Sequence, residues 1–175
     1  MNREVRRIAL ALLLLAFTLP MARADMAQPI QQRVRHELLM LPYLSAFDDI
    51  AYKVDGHTVI LTGAVTRPIV KSDAEYAVKH IAGVEQVDNR IEVLPLSPLD
   101  DELRLRLFRA IYGYGPLQKY SLGTQLPIRI IVKNGQVTLD GVVDNAADRD
   151  VANLRANGVF GAFSVTDNLR VGNIG

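Results

Sequence analysis

Three histidines and a set of serines are the side chains with which this sequence could perform acid–base or nucleophilic chemistry. We expect His36 on a helix, His57 in a hairpin turn and His80 at a helix end, so they do not converge as a metal or proton-transfer site requires. The acid pairs Asp48–Asp49 and Asp100–Asp101 are interpreted as loop and helix-cap residues. No serine lies in the Gly-x-Ser-x-Gly context of a nucleophile elbow. The residues therefore predict no enzyme, no cofactor and no metal site.

A tyrosine-rich segment is the local feature that best suggests a function. Tyr112, Tyr114 and Tyr120 are half of the six tyrosines in the chain, and Lys119 and two glycines lie among them. Tyrosine is favoured at membrane–water interfaces because its ring is apolar and its hydroxyl is wet. Two interpretations remain open: a surface for a membrane or a partner, formed by Tyr112, Tyr114, Lys119 and Tyr120, or a loop folded back over the sheet with its rings buried.

The elements that position these residues follow from an internal duplication. Val59–Val65 recurs as Val137–Val143 at an offset of 78 residues, which places Gly63 opposite Gly141. An offset held over some 40 residues indicates two copies of one unit. Each repeated segment has the alternation of a central strand, and we expect its glycine to be a packing position beneath the following helix.

The periodicity of each copy predicts helix, strand, strand, helix, strand. The predicted fold class is therefore α+β, with two tandem αββαβ units, each a small three-stranded mixed sheet packed by two helices. The predicted organisation is a signal peptide at 1–24, a loose N-terminus at 25–29, a first domain at 30–93, a Pro-rich linker at 94–99, a second domain at 100–172 and a tail at 173–175.

The first 24 residues are typical of a secretory signal peptide. Three arginines precede a run of twelve largely apolar residues, Ile8–Leu19, which is shorter than the roughly 20 residues that span a bilayer. The predicted cut lies between Ala24 and Asp25, the alternative being an uncleaved start that is amphipathic or inserted in the membrane. Removing residues 1–24 reduces the 20 basic and 19 acidic residues to 16 and 18, a net charge of −2. Such a chain, without a basic cluster, is not expected to bind nucleic acid.

Each copy resembles a BON domain. The resemblance is carried by the Val59-x-Leu-x-Gly63 and Val137-x-Leu-x-Gly141 strands, the helix behind each one, and Val87-Asp-Asn and Val165-Thr-Asp-Asn before the last strand. Two copies behind a signal peptide are similar to the arrangement in osmotically inducible periplasmic proteins. The resemblance implies a binding module without catalytic residues that associates with phospholipid membranes.

Two functions are therefore expected. The first is a periplasmic, non-enzymatic module that binds phospholipid membrane reversibly and supports envelope integrity or the osmotic stress response. The alternative is a protein-interaction or chaperone-like module, since small mixed α/β units offer sheet edges to partner strands.

Overall fold

Two consecutive αββαβ units make up the computed structural model, which describes residues 29–123 and 126–172. The predicted signal peptide, its cut, residues 25–28 and the tail at 173–175 lie outside the described residues. The first unit consists of α1 (Ile30–Leu39), β1 (Asp49–Asp55), β2 (Thr58–Val65), α2 (Pro68–Lys79), β3 (Gln86–Asn89) and β4 (Glu92–Val93). The second unit consists of α3 (Pro98–Tyr112), a 3₁₀ helix (Gly115–Ser121), β5 (Ile128–Lys133), β6 (Gln136–Val143), α4 (Ala146–Asn157) and β7 (Ser164–Val171).

The repeated strand is the centre of each sheet. In the first unit β2 pairs antiparallel with β1 and parallel with β3 and β4, which together occupy the place of one third strand. In the second unit β6 pairs antiparallel with β5 and parallel with β7. Both sheets are therefore mixed, and the predicted α+β class with two tandem αββαβ units is confirmed.

Each unit has its own apolar core between its sheet and its two helices. In the first core Val34 and Leu38 of α1 and Val70 and Val78 of α2 cover Leu61 of the central strand. In the second core α3 contributes Leu103, Leu107 and Ile111, whereas α4 contributes the small buried side chains Ala152 and Ala156 and the partly buried Val151. The three- and four-residue spacing of these positions is what makes each helix bury one face.

The two repeated glycines are required for a different reason from the one expected. Gly63 and Gly141 have φ angles of 110° and 128°, in the left-handed region that favours glycine. A Cβ at either position would collide with a backbone carbonyl of the adjacent antiparallel strand segment, that of Asp49 or of Pro127. The expectation that a helix crosses over Gly63 is wrong, because the close neighbour is backbone from the paired strand.

Buried carboxylates fix the connections around the helices. Asp48 is completely buried, and its two oxygens accept hydrogen bonds from the backbone and hydroxyl groups of Ser45 and Thr66 at 2.6–2.9 Å. Thr66 therefore serves this carboxylate and does not cap α2, whose N-cap is Arg67. Asp100 is also buried, and it accepts from the backbone N–H groups of Asn134 and Gly135 at 2.8 and 2.9 Å. It ties the start of α3 to the β5–β6 turn, while Ser97 caps the helix.

The segment between α1 and β1 joins the two units. The carbonyl of Ala46 accepts from the backbone N–H of Ile130 in β5 at 2.7 Å, and the carbonyl of Ser45 accepts from the guanidinium of Arg129 at 3.1 Å. The rings of Phe47 and Phe108 meet edge to face with centroids 6.1 Å apart. The two units are thus joined by hydrogen bonds and an aromatic pair as well as by the linker.

Candidate functional site

Tyr112, the first residue of the predicted tyrosine surface, is buried and bonded to a strand edge. Its side chain is 4% exposed. Its hydroxyl donates to the carbonyl of Ile128 at 2.7 Å and accepts from the N–H of the same residue at 3.0 Å. Burial raises the pKa of Tyr112 to about 12, against the smaller opposing effects of the hydrogen bond to Ile128 and the charge of Arg129. One phenol therefore takes the place of a neighbouring strand at Ile128.

Tyr120 and Lys119 belong to a polar cluster with two aspartates. Tyr120 is 4% exposed, and its hydroxyl donates to the carboxylate of Asp148 and accepts from the N–H of Asp144. The ammonium of Lys119 lies 2.7 Å from a carboxylate oxygen of each aspartate. Partial burial opposes ionisation of Asp148, but the hydrogen bonds from Lys119 and Tyr120 outweigh it and lower the pKa of this carboxyl. The cluster fastens the 3₁₀ helix to the start of α4.

Tyr114 is the one tyrosine of the segment that remains partly exposed, at 37%. The guanidinium of Arg155 stacks on its ring at 5.0 Å from the centroid. The four residues of the predicted surface therefore separate in space and role: Tyr112 and Tyr120 fill the second core, and Tyr114 and Lys119 reach solvent. Their assignment as a membrane or partner surface stays a prediction, and in this conformation only the latter two are accessible to a ligand.

The outer edges of β1 and β5 differ although the two strands are equivalent in the duplication. On β5, hydrogen bonds from outside the sheet reach three alternate residues: Tyr112 binds Ile128, the carbonyl of Ala46 binds the N–H of Ile130, and Arg104 donates to the carbonyl of Val132 at 2.6 Å. At an offset of 78, the equivalent residues of β1 are Ile50, Tyr52 and Val54.

None of the backbone hydrogen bonds between described residues reaches those three positions of β1 from outside the sheet. Within residues 29–123 and 126–172 hydrogen bonds thus cover the edge of β5, whereas no backbone hydrogen bond covers the edge of β1, which we call the uncovered edge. An uncovered edge presents unpaired N–H and C=O groups that can pair with another strand.

A cleft of about 450 Å³ opens beside this uncovered edge, between the two units. Asp49, Tyr52 and Arg35 line it from the first unit, and Asp140 and Arg170 line it from the second. Burial, and next the charge of Asp140, raise the pKa of Asp49. The cleft combines cations with carboxylates, so its charge alone does not select one class of ligand.

Two segments that meet at the β5–β6 turn carry large, exposed apolar side chains. Leu96 and Leu99 flank the start of α3, and Phe160 and Phe163 lie in the turn between α4 and β7; we call these four residues the apolar end. They are 75–95% exposed. The β5–β6 turn connects them, since Asp100, next to Leu99, binds the N–H of Gly135, and the N–H of Phe163 donates to the carbonyl of Gly135 at 2.9 Å.

Sequence reasoning missed Phe160 and Phe163. The signal that could have found them is the duplication itself, because the same offset places them opposite Ala82 and Glu85. Two large apolar side chains thus replace a small one and a charged one at equivalent positions.

The groups considered for chemistry do not assemble into a catalytic or metal centre in the described part of the chain. The Nδ1 atoms of His57 and His80 pair with the carbonyls of Gly83 and Tyr76. Within residues 29–123 and 126–172 no three His, Asp or Glu side chains are placed to hold a metal ion. In the same residues no helix has both the length and the apolar character needed to cross a bilayer.

Comparisons with known proteins identify both units. The model of the BON domain matches residues 27–95 and 117–173. No curated protein matches the sequence. Among solved structures, two of CdsD, a structural protein of the type III secretion system of Chlamydia trachomatis, are similar to this chain. One is its C-terminal domain, at 16% identity and a TM-score of 0.29, with 81% of this chain and 96% of that chain covered. The other, at 15% identity and the same TM-score, covers 82% of this chain and 93% of that one.

Proposed function

Because the chain belongs to the BON domain family, we propose that it is a non-enzymatic, exported binding module that associates reversibly with phospholipid membranes. In the cell this binding would support envelope integrity or the response to osmotic stress. BON domains are associated with phospholipid binding, and two of the three histidines weighed for catalysis, His57 and His80, pair with backbone carbonyls.

The apolar end is the observation that carries this proposal. Leu96, Leu99, Phe160 and Phe163 expose three quarters or more of their surface, in two segments that meet at the β5–β6 turn. A group of exposed large apolar side chains on a soluble fold is typical of an interaction surface. Aromatic rings beside basic groups suit the interface of a bilayer, where the ring enters the acyl boundary and the cation stays among the phosphates.

The size of the apolar end predicts weak, reversible binding. Four side chains that only partly leave water provide far less driving force than an apolar helix that spans the bilayer. Basic residues near the surface add about 1 kcal/mol each on anionic lipid, an effect that salt screens. Binding should therefore require anionic lipid and decrease with ionic strength.

Vesicle flotation tests the proposal. The protein should lack residues 1–24, because the apolar run at 8–19 would partition into lipid by itself. We expect it to float with phosphatidylglycerol-containing vesicles at low salt, and to float less at high salt or with phosphatidylcholine vesicles. A protein that stays at the bottom of the gradient with every lipid would contradict the proposal.

The uncovered edge of β1 favours a second candidate function, a protein-interaction module. An extended segment of a partner could pair with Ile50, Tyr52 and Val54 as an added strand, which β5 cannot accept because its edge is already bonded. Replacing Tyr52 with proline removes one outward N–H of that edge.

A pull-down from the periplasm, with the Tyr52→Pro protein beside the unchanged one, tests this candidate. The partner should be retained by the unchanged protein and lost with the variant, provided that both give the same circular dichroism spectrum. A partner retained equally by both proteins would rule out the β1 edge as its binding site.

A further inference from the structure

We propose that Phe160 and Phe163 are the side chains that enter the membrane, and that the second unit makes this contact while the first does not. The inference rests on the proposed function and specifies the residues and the unit that perform it.

The turn that carries the two phenylalanines holds them outward. Val159 and Ala162 pack against the second core, whereas Phe160 and Phe163, each next to one of them, are almost fully exposed. The backbone is fixed by hydrogen bonds from the N–H of Val159 to Ala156 at 3.1 Å and from the N–H of Ala162 to Val159 at 3.2 Å. The rings are therefore presented by an anchored turn and need little ordering when they bind.

The first unit has the same turn without the rings. Gly83 and Gly161 have φ angles of 93° and 99°. The N–H of Glu85 donates to the carbonyl of His57 at 2.8 Å, as the N–H of Phe163 does to that of Gly135 at 2.9 Å. Ala82 and Glu85 are exposed. Since this backbone forms with alanine and glutamate, the fold does not require phenylalanine at these positions.

Basic side chains flank the turn in the second unit. A guanidinium nitrogen of Arg106 lies 3.2 Å from the position that a Cβ of Gly161 would occupy. Lys133 precedes the β5–β6 turn, against which the ring of Phe163 lies. Their acidic partners are exposed: Glu92 lies 2.5 Å from Lys133, and Glu102 lies 3.6 Å from Arg106. Exposed ion pairs contribute little free energy, so lipid phosphates can replace these acidic partners at little energetic cost.

A bilayer fits this surface better than a folded protein does. The two rings project from a turn, and an interfacial lipid layer can receive projecting rings without a shaped pocket. Arg106 and Lys133 complement anionic headgroups. The first unit also has a guanidinium at its turn, that of Arg33, 3.9 Å from the position that a Cβ of Gly83 would occupy. Its Glu85, however, would be repelled by anionic headgroups. The two exposed rings, and the glutamate that stands in place of one of them in the first unit, therefore assign the contact to the second unit.

Exchanging the residues of the two turns tests the inference in protein that lacks residues 1–24. Phe160→Ala with Phe163→Glu gives the second unit the residues of the first, and we expect it to weaken binding to phosphatidylglycerol vesicles by about tenfold or more. Adding Ala82→Phe and Glu85→Phe to that protein should restore part of the affinity. The control is Leu122→Ala, because Leu122 is also highly exposed but follows the 3₁₀ helix; its binding should not change.

Tryptophan fluorescence provides a readout that does not depend on loss of binding, because the chain contains no Trp. With Phe163→Trp the emission should shift to shorter wavelength when vesicles are added, and with Glu85→Trp it should not shift.

The outcomes separate the inference from the proposed function. If the unchanged protein binds vesicles and the exchange of Phe160 and Phe163 has no effect, the inference is wrong and the membrane function stands. If the unchanged protein binds no vesicles, both are wrong. If the exchange instead dissociates an oligomer seen by analytical ultracentrifugation, the two rings contact a second copy of the chain, and the inference is overturned.

Discussion

Tyr112→Phe removes one oxygen atom that satisfies two buried backbone groups, so its effect on stability can be worked out from the structure. The hydroxyl accepts from the N–H of Ile128 at 3.0 Å and donates to its carbonyl at 2.7 Å. Ile128 is completely buried, and the phenol occupies the place that a neighbouring strand would take. Phenylalanine keeps the packing of the ring and leaves both backbone groups without a partner.

The expected destabilisation is large for the loss of one hydroxyl. A buried donor or acceptor deprived of its partner costs about 1–3 kcal/mol, so the two groups together should lower the free energy of unfolding of the second unit by about 2–6 kcal/mol. For a unit of this size each kcal/mol lowers Tm by about 4–8 °C, so Tm should fall by at least about 8 °C. The matched control is Tyr114→Phe, whose hydroxyl makes no hydrogen bond among the described residues; its effect should stay within about 0.5 kcal/mol.

Denaturant unfolding followed by NMR measures this effect for each unit separately, which matters because two units need not unfold together. The exchange rate of the Ile128 amide with solvent gives a local measure, and it should rise in Tyr112→Phe. A variant as stable as the unchanged protein, with equal protection of that amide, would refute the account of the strand edge.

The same tyrosine predicts a loss of stability in alkali. Burial raises the pKa of Tyr112 to about 12, whereas that of an unfolded tyrosine is about 10. The folded state therefore holds the proton more tightly, so its stability is full below pH about 10 and decreases as the pH rises towards about 12. In the Tyr112→Phe protein the stability of the second unit should decrease less over this pH range, because the titrating phenol is absent. If stability decreased equally in this variant and in the unchanged protein, the alkaline loss could not be assigned to Tyr112.

Two further predictions concern the glycines and the aspartate cluster. Gly63→Ala and Gly141→Ala should each destabilise their own unit by more than about 2 kcal/mol, since the φ angle is strained and the Cβ meets backbone. Gly115→Ala, with open space and no positive φ angle, is the control, and equal Tm values for all three would sink the argument. The lowered pKa of Asp148 means that its stabilising contribution is present above pH about 4 and is lost as the pH falls through its folded pKa. Asp148→Asn should make the second unit less stable at neutral pH and less sensitive to acid, and an unchanged acid transition in urea unfolding would count against it.

The elements were predictable from the sequence because their signals are local. The spacing of Leu103, Leu107 and Ile111 specifies one helical face, and these three residues are buried in the core. The pair Asn134–Gly135 specifies a tight hairpin turn, and in the structure the two residues have the positive φ angles that such a turn requires, 52° and 75°. The duplication then allowed one unit to support the interpretation of the other.

Contacts between distant residues could not be predicted in this way. Tyr112 meets Ile128 and Tyr120 meets Asp148, at separations of 16 and 28 residues. The segment between β3 and β4 also makes a distant contact, because the side chain of Asn89 donates to the carbonyl of Lys71 in α2. No periodicity in the sequence reports these partners.

The exposure of Phe160 and Phe163 was likewise not evident from composition, because an apolar residue after a helix is commonly part of a core. The structure establishes that Val159 and Ala162 face the core instead, and only then does the difference from Ala82 and Glu85 acquire a meaning.

A binding isotherm of the protein without residues 1–24 on phosphatidylglycerol vesicles tests the central claim most directly. We predict that the sedimented fraction rises with lipid concentration and saturates, and that dilution or added salt releases the protein intact. No sedimentation above the lipid-free control at any lipid concentration would contradict the account.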